Sequence, residues 1–296
     1  MILALSYLAA FAASTGWATG TVLAERPARA LGSFTFIRIQ VIACAAIQAS
    51  LCSVFSLWST VSTAHLPAYA VSTATMLVGR LSFTTCLRTG GPRRAAVVFS
   101  LRAVLVAAMA YVWLGETLSA TDAIGGLICL SGVLLAILSK RADGQKALHD
   151  VTSAALFMGV GLMGVTCQGL SFLAVKPALE SGTNPFAVSA IQLGGAAAIV
   201  TLVAFLPVRS LRAQTQLTPY LTGRTILPGV MGYVFASSAL LYAFAKLDAG
   251  IAMVLGSLAS VMVIPIQVIR DRKFPGTNTV IGTVVAVSGA AAIVLS

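Results

Sequence analysis

Charged residues are scarce in this sequence: Asp, Glu, Lys and Arg make up 9% of its 296 residues, whereas soluble domains carry about 25%. Hydrophobic residues account for 58% of the chain, and the mean hydropathy is +0.96. A soluble domain cannot hide this much apolar surface, because its exterior must face water. The composition therefore excludes a soluble protein and indicates a polytopic membrane protein in contact with the lipid bilayer.

Acidic and histidine residues are fewer still, with eight Asp or Glu and two His. Each of them falls in a predicted loop or at the end of an apolar run. Intramembrane hydrolysis needs a nucleophile with a base in reach, and proton-coupled carriers usually need a titratable group at membrane depth. We therefore predict that the protein is not an enzyme, and we expect a facilitator or exchanger rather than a carboxylate-based proton antiporter.

Cysteine pairs with metal-binding or redox spacing are also missing. The five cysteines lie within apolar runs and no Cys-x-x-Cys occurs, so we predict neither a metal site nor a cofactor. The net charge of +11 could indicate a nucleic-acid partner, but the cations form small clusters between apolar runs, without a basic face. We expect no nucleic-acid partner, and the choice between monomer and homodimer stays open.

Apolar runs separated by charged or Pro/Gly-containing breaks predict ten membrane-spanning helices. About 20 mostly apolar residues are needed to cross the hydrocarbon layer, and backbone amides in lipid must be satisfied within their own helix. The predicted spans are 3–24, 33–55, 68–87, 94–113, 121–139, 154–175, 185–206, 226–245, 250–269 and 277–295. The predicted fold class is all-α, with ten transmembrane helices.

Lys and Arg are distributed unequally between the two sides of these spans. The loops after spans 1, 3, 5, 7 and 9 hold 14 cations when Arg94, at the first position of span 4, is included, whereas those after spans 2, 4, 6 and 8 hold two, Lys176 and Lys246. An excess of Lys and Arg is typical of cytoplasmic loops. The bias predicts a multi-pass protein of the inner or plasma membrane whose two termini are both extracytoplasmic.

The end of the first half of the chain is repeated at the end of the second half. A shift of 157 residues aligns "AIGGLICLSGVLLAILS" (123–139) with "VIGTVVAVSGAAAIVLS" (280–296). The same shift aligns Leu101 with Leu258, so spans 4–5 match spans 9–10 without a gap. We interpret the shared glycines as points of close helix packing.

The beginnings of the two halves match less closely, with Gln40 aligned to Gln192 at a slightly different shift. We predict two repeats, 1–145 and 146–296, of five spans each. An odd number of spans inverts the second repeat in the membrane. Inverted repeats are common in secondary transporters, which bind substrate near the midplane between the repeats.

Three stretches carry a family resemblance: "GWATGTVLAERPA" (16–28), "YVWLGETLSATDAIGGLICLSGVLLAI" (111–137) and "LYAFAKLDAGIAMVLGSL" (241–258). They resemble recurring segments of the EamA-type repeat of the drug/metabolite transporter superfamily, in two copies that cover nearly the whole chain. The resemblance implies a ten-helix transporter that exports amino acids or related metabolites, or exchanges phosphorylated compounds. Many members have cytoplasmic termini, opposite to the orientation that the charge bias predicts.

Arg102 is a permanent cation in the middle of the apolar run "VVFSLRAVLVA" (97–107). On a bare helix in lipid it would cost about 2.5–3.5 kcal/mol on insertion scales, and it cannot lose its proton. No acid lies in a neighbouring span, so Arg102 must face protein or a water-filled cavity. Either it binds a substrate carboxylate or phosphate, or it caps backbone carbonyls as a structural group.

The other candidate substrate-binding residues are polar or aromatic and lie at predicted membrane depth: Arg80, Trp17, Gln168, Gln192, Tyr242 and Ser260. Arg80 either lines the cavity or extends to the lipid headgroups, and for Arg38 the headgroups are favoured. Ser14, Trp17 and Thr21 recur at helical spacing and share one face. That face lines the cavity or contacts another helix.

These features predict a secondary transporter of small polar metabolites that works by alternating access, with amino acids or related organic anions as substrates. An antiporter of phosphorylated metabolites or nucleotide sugars is an alternative, because the same arginines could bind phosphate. A non-transporting membrane receptor or assembly factor is the alternative of another class. It would need a large soluble domain or a long loop, and the longest predicted loop, 207–225, is short.

Overall fold

The computed structural model describes residues 2–115, 119–138, 151–205, 215–271 and 277–295, which form helices and turns without a strand. The α-helices are α1 (Ile2–Leu31), α2 (Ser33–Val54), α3 (Leu66–Ser100), α4 (Arg102–Leu114), α5 (Ala120–Leu138), α6 (Val151–Glu180), α7 (Pro185–Ala204), α8 (Pro219–Gly229), α9 (Ser238–Phe244), α10 (Ala249–Ser257), α11 (Ala259–Asp271) and α12 (Thr277–Leu295). Short 3₁₀ turns, Leu57–Thr60 and Thr63–His65, precede α3, and a π-helical segment, Val230–Ser237, joins α8 to α9. Helices predominate because they satisfy their own backbone groups in lipid.

Five helical stretches of the described chain are long and apolar enough to cross a membrane. They are Ser33–Val54, Ala155–Glu180, Pro185–Ala204, Pro219–Phe244 and Ala249–Ile266. The predicted class of all-helical membrane protein is therefore confirmed, and the total of ten spans stays a prediction. The predicted boundary between the two repeats, 145/146, lies outside the described residues.

The boundary predicted between spans 3 and 4 is wrong. The sequence predicts a loop at 88–93, but α3 continues through this stretch and ends at a break at Leu101. Glycine serves packing here, because a Cβ on Gly90 would overlap the Phe157 ring of α6. Arg102, predicted at the middle of a span, is instead the first residue of α4.

The break at Leu101 has a counterpart at Leu258, where α10 ends and α11 begins. Each leucine amide donates to the carbonyl three residues earlier: Leu101 N to Val98 O at 3.2 Å, and Leu258 N to Leu255 O at 3.2 Å. An α-helical amide would donate to the carbonyl four residues earlier. The 157-residue register of the sequence thus reappears in the backbone hydrogen bonds.

The last helices of the two halves, α5 and α12, pack through glycines, as predicted. A Cβ on Gly132 would overlap the backbone of Ala286, and a Cβ on Gly289 would overlap the backbone of Cys129. The two contacts interchange under the 157-residue shift. Small residues let membrane helices approach until their backbones touch, so α5 and α12 form a two-fold related pair.

The two halves of the chain interleave instead of forming separate bodies. α1 packs against α8, the π-helical segment, α9, α10 and α11 of the second half, whereas α6 packs against α3 and α4 of the first half. α2 and α7 face each other. Each of these contacts has a counterpart when the halves are exchanged, which is the pattern of an inverted repeat.

Two buried glutamines join the second helix of each half to the third helix of the other. Gln40 Nε2 of α2 donates to the Thr225 carbonyl of α8 at 2.9 Å, and Gln192 Nε2 of α7 donates to Ser72 Oγ of α3. Ser72 and Thr225 are each the seventh residue of their helix. The match of Gln40 with Gln192 in the sequence therefore reflects equivalent contacts between the halves.

Lys176, predicted to be a loop cation, lies inside α6 and is 4% exposed. Its Nζ donates to the Leu247 carbonyl at 3.2 Å, in the turn after α9, and lies 3.8 Å from Glu180 Oε1. The ammonium group stabilises the carbonyl end of a neighbouring helix. Lys176 is therefore a packing residue, and its charge does not belong in the loop count.

Candidate functional site

A cavity lies where the two breaks in the helices meet, and we call it the central cavity. It encloses about 570 Å³, including the part that is open to solvent. Its lining consists of Trp17, Thr21, Arg80, Phe83, Phe99, Arg102, Gln168, Gly256, Ser257, Ala259 and Val263. Arg102 follows the break at Leu101, and Ser257 and Ala259 flank the break at Leu258. Non-helical backbone at membrane depth is tolerated where it borders such a cavity.

The guanidinium of Arg102 lines the central cavity and is held by two side chains. Nη1 donates to Gln168 Oε1 at 2.7 Å, and Cζ lies 4.7 Å from the ring centroid of Trp17. The residue as a whole is 8% exposed. Among the described residues its hydrogen bond goes to a side-chain amide, so the geometry favours the cavity-lining alternative over the capping of backbone carbonyls.

Arg80 shares the Trp17 indole with Arg102. Its Cζ lies 5.8 Å from the Trp17 centroid and 4.6 Å from the Tyr233 centroid, and Nη2 donates to Ser237 Oγ at 3.0 Å. Its Nε is buried and has no hydrogen-bond partner within the described chain. Of the two alternatives for Arg80, the side chain thus takes the position inside the protein, with its guanidinium between two aromatic rings.

The two guanidinium groups give the central cavity an unbalanced positive charge. No Asp or Glu is among the described residues that line it. Arginine stays protonated in proteins, and buried charges are normally paired or bound to a ligand of opposite charge. The arrangement can therefore bind an anion through charge-assisted hydrogen bonds, which are stronger than those between neutral groups.

The π-helical segment holds Trp17 in position. The Gly232 carbonyl accepts hydrogen bonds from Trp17 Nε1 at 3.1 Å and from Ser237 Oγ at 2.9 Å. α1 approaches this segment closely because Gly16 lacks a side chain: a Cβ there would lie 2.8 Å from a ring carbon of Phe235. Such π segments occur frequently at functional sites, and the apolar pattern of this stretch contains no signal of one.

The residues of the polar face predicted on α1 have two different roles. Ser14 Oγ donates to the Leu255 carbonyl at 2.7 Å, so this residue contacts another helix. The same carbonyl accepts from Leu258 N, and Ser14 thus stabilises the break in the second half. Trp17 and Thr21 line the central cavity instead.

The two candidate glutamines also differ in their roles. Gln168 lines the central cavity and binds Arg102. Gln192 is bonded to Ser72, and Ser171 Oγ lies 3.5 Å from its Nε2. Gln192 lines a smaller cavity of about 300 Å³ that also contains Arg80 and Gln168. Gln192 therefore joins α7 to α3 next to the central cavity.

Tyr242 and Ser260 complete the set of candidates from the sequence. Tyr242 is half-buried in α9 and is not among the described residues that line the central cavity. The backbone of Ser260 belongs to α11, next to the lining residue Ala259, but its side chain lies outside the part that the structure describes. The structure thus brings together Arg102, Arg80 and Trp17 with Gln168, and does not add Tyr242.

Sequence reasoning missed several residues that contact or line the site, among them Tyr233, Ser237 and Phe99. The separation between Arg80 and its acceptor Ser237 is 157 residues, the shift of the internal repeat. The alignment of the halves therefore contained the signal for this bond, because aligned residues of an inverted repeat can meet at the two-fold axis. Tyr233 and Phe99 lie in runs of apolar residues and carry no comparable signal.

The open space extends toward one end of the helix bundle. A second cavity of about 410 Å³ shares Trp17 and Arg80 with the central cavity and reaches Ala24 of α1 and Leu87 of α3. Cations follow both of these residues closely in the chain, at 26 and 88. The space thus extends toward the cation-rich end of the bundle.

Aromatic packing and a hydrogen bond close the opposite end. Phe172 of α6 packs between Trp17 and Phe244, with ring centroids 6.2 and 5.4 Å apart. Farther out, Tyr69 Oη lies 3.3 Å from Thr183 Oγ1, and both residues are buried. These contacts join helices of both repeats on this side of the central cavity.

Comparisons with known proteins show the family and the fold. The model of the EamA-like transporter family matches residues 4–138 and 154–295. A solved structure, described only as the crystal structure of a protein, superposes with a TM-score of 0.80 and 17% sequence identity, over 98% of this chain and 96% of that chain. At this identity the likeness shows the fold alone. No curated protein matches the chain.

Proposed function

The chain belongs to the EamA-like transporter family, and from this premise we propose that it is a secondary transporter of small polar metabolites. Its substrates would be amino acids or related organic anions, bound in the central cavity. Arg102 and Arg80 would bind the acidic groups, and Trp17 and Gln168 would hold the guanidiniums in place. Members of the family are membrane transporters, and the substrate class is inferred from the cavity.

One observation carries the proposal: two permanently charged guanidiniums line a cavity at the point where the two helix breaks meet. Broken helices near the middle of a membrane protein, at equivalent positions in its repeats, are the best pointer to a transporter binding site. Intramembrane cations mark substrate or ion pathways by default. The hydrogen bonds and ring contacts of both arginines leave donors free for a ligand.

Alternating access would follow from the way in which the helices are grouped. α3 and α6 pack together, as do α1 and α8 to α11, so each group combines helices of both repeats, and α4 contacts both groups through α6 and α10. The movement would take place between these two groups and not between the two whole repeats. The Trp17–Phe172 contact lies between the groups, and it would separate when the closed end opens.

The proposed transporter has ten spans and lies in the inner or plasma membrane, with both termini extracytoplasmic. The open end of the cavities would then face the cytoplasm, because cation-rich loops are cytoplasmic. A fluorescent reporter fused to the carboxyl terminus, of a type that matures only in the cytoplasm, should stay dark. Bright cells would reverse the orientation and place the open end outside.

Counterflow in proteoliposomes tests the proposed function. Vesicles loaded with one unlabelled compound at a time should take up the labelled form of that compound transiently, for at least one amino acid, organic acid or phosphorylated metabolite. Arg102→Ala should abolish this uptake, because it removes the guanidinium that Gln168 and Trp17 position. Monodisperse elution of the variant would show that it is folded.

Arg38→Ala is the matched control, because Arg38 lies in α2 outside the described cavity linings. It should exchange like the wild type. Equal exchange by Arg102→Ala would remove Arg102 from the binding site. Binding without exchange of any compound would instead favour a receptor or assembly factor.

A further inference from the structure

Resting on the proposed function, we infer that the central cavity selects substrates with two negative charges and no ammonium group. Dicarboxylates and phosphate monoesters both have this chemistry. An amino acid would then bind more weakly than the dicarboxylate with the same carbon skeleton. The inference rests on three observations about Arg80 and Arg102: their free donors, the missing countercharge and the occupied aromatic faces.

The donors of the two arginines are mostly unused. A guanidinium has five N–H donors, and the described structure shows one hydrogen bond from each group, Arg102 to Gln168 and Arg80 to Ser237. Arg80 Nε is buried without a partner. A buried donor that lacks a partner needs an explanation, such as a ligand oxygen. A ligand oxygen that reached Arg80 Nε would satisfy this buried donor.

The charge of the site decides how many negative charges a substrate should carry. Two guanidiniums contribute two positive charges, and no described lining residue is Asp or Glu. A monocarboxylate would leave one cation unpaired in a medium of low dielectric, where this is costly. A zwitterion would leave both charges unbalanced, since its own charges cancel. A dianion neutralises the site.

An ammonium group would find two aromatic rings of the site already in contact with cations. The indole of Trp17 and the ring of Tyr233 already carry the Arg102 and Arg80 guanidiniums, at 4.7 and 4.6 Å, so these cation–π positions are taken. The hydroxyl of Ser257, which lines the cavity, donates to the Val254 carbonyl at 2.6 Å, so it offers an ammonium group only a neutral oxygen acceptor. An ammonium group would therefore meet two like charges without a carboxylate to bind.

Thermal unfolding of the purified protein with four probes tests the inference, at about pH 8, where a phosphate monoester is a dianion. The probes are succinate, aspartate (the same skeleton with an ammonium group), butyrate (one carboxylate fewer) and glycerol 3-phosphate. Ligands that bind the folded state raise the unfolding temperature. Succinate or glycerol 3-phosphate should act at concentrations at least about tenfold lower than aspartate and butyrate. The two dianions together separate a dicarboxylate site from a phosphate site.

Variants connect the selectivity to the two arginines. Arg80→Gln and Arg102→Gln should each remove the preference for the dianions over butyrate, whereas the matched variant Arg38→Gln should keep it. Aspartate acting as well as both dianions, no effect of either dianion, or an unchanged preference in the two cavity variants would overturn the inference.

The outcome is distinguishable from a failure of the proposed function. If a dianion binds but no compound exchanges across proteoliposomes, transport fails and the selectivity stands. If a neutral or zwitterionic compound exchanges while neither dianion binds, transport stands and the selectivity fails.

Discussion

The two repeats break at equivalent places, between α3 and α4 and between α10 and α11, but put different residues beside the break. Leu101 and Leu258 make equivalent hydrogen bonds, to Val98 and Leu255. The next residue is Arg102 in the first repeat and Ala259 in the second. The same backbone thus carries a permanent charge on one side of the cavity and a methyl group on the other.

Arg80, the second arginine of the central cavity, also has an uncharged counterpart in the second repeat. Arg80 aligns with Ser237, which accepts its hydrogen bond. Both cations of the central cavity therefore come from the first repeat, and the second repeat supplies the Gln168 amide, the Ser257 hydroxyl group and uncharged residues. The equivalent breaks of the two repeats border the cavity. Because both cations come from one repeat, the positive charge lies on one side of the cavity. A bound anion would lie against one repeat.

Placing a negative charge on the second repeat should have the largest effect on substrate exchange. Gln168→Glu would put a carboxylate within hydrogen-bond distance of Arg102, since the amide oxygen is 2.7 Å from Nη1. The new carboxylate would compete with the substrate, and we expect exchange in proteoliposomes to fall by about a hundredfold.

Gln168→Met removes the hydrogen bond without adding charge, and its exchange should fall by only about tenfold. If the Glu variant exchanges as well as the Met variant, the charge of the site does not determine substrate binding.

The two-fold relation between the repeats can be tested at α5 and α12, where substitutions should have an effect of intermediate size on stability. Gly132→Ala and Gly289→Ala should destabilise the protein to the same degree, because each Cβ would overlap the backbone of the partner helix. Overpacking costs about 1–3 kcal/mol, partly offset by the helix propensity of Ala, about 1 kcal/mol. The measurement is the unfolding temperature in detergent.

Gly194→Ala in α7 is the control, because a Cβ there has no neighbour within 4 Å. It should leave the unfolding temperature unchanged or raise it slightly. Clearly unequal losses for the variants at 132 and 289 would contradict the two-fold relation of α5 and α12.

A proton gradient should have the smallest effect on substrate uptake. The guanidiniums keep their charge at physiological pH, and the described lining of the central cavity contains no Asp, Glu or His. A pH gradient imposed on proteoliposomes should therefore not drive accumulation of substrate beyond equilibrium. Concentrative uptake under these conditions would require a titratable group elsewhere on the pathway.

The internal repeat allowed the sequence to predict more than a count of apolar runs could. The pairing of Leu101 with Leu258 and that of Gly132 with Gly289 reappear as equivalent backbone contacts. Arg102 also lines a cavity, which is one of the two alternatives that the sequence predicts for it. These predictions succeeded because a permanent charge and a repeated register have few solutions within lipid.

Other features could not be predicted from the sequence. Helix faces that pack and faces that contact lipid are both apolar, so the hydrophobic pattern does not orient Tyr242 or Phe99. A Gly-Gly-Pro stretch before 93 has the composition of a turn, yet Gly90 gives room to Phe157 within a helix. Lys176 resembled a loop cation because its partner, the Leu247 carbonyl, is distant in the chain.

An experimental structure with bound succinate or glycerol 3-phosphate tests the central claim most directly. We predict ligand oxygens within about 3 Å of the guanidinium nitrogens of both Arg102 and Arg80, with Arg80 Nε among the donors. Ligand density elsewhere, with both guanidiniums bound to backbone carbonyls and the central cavity closed, would contradict the account.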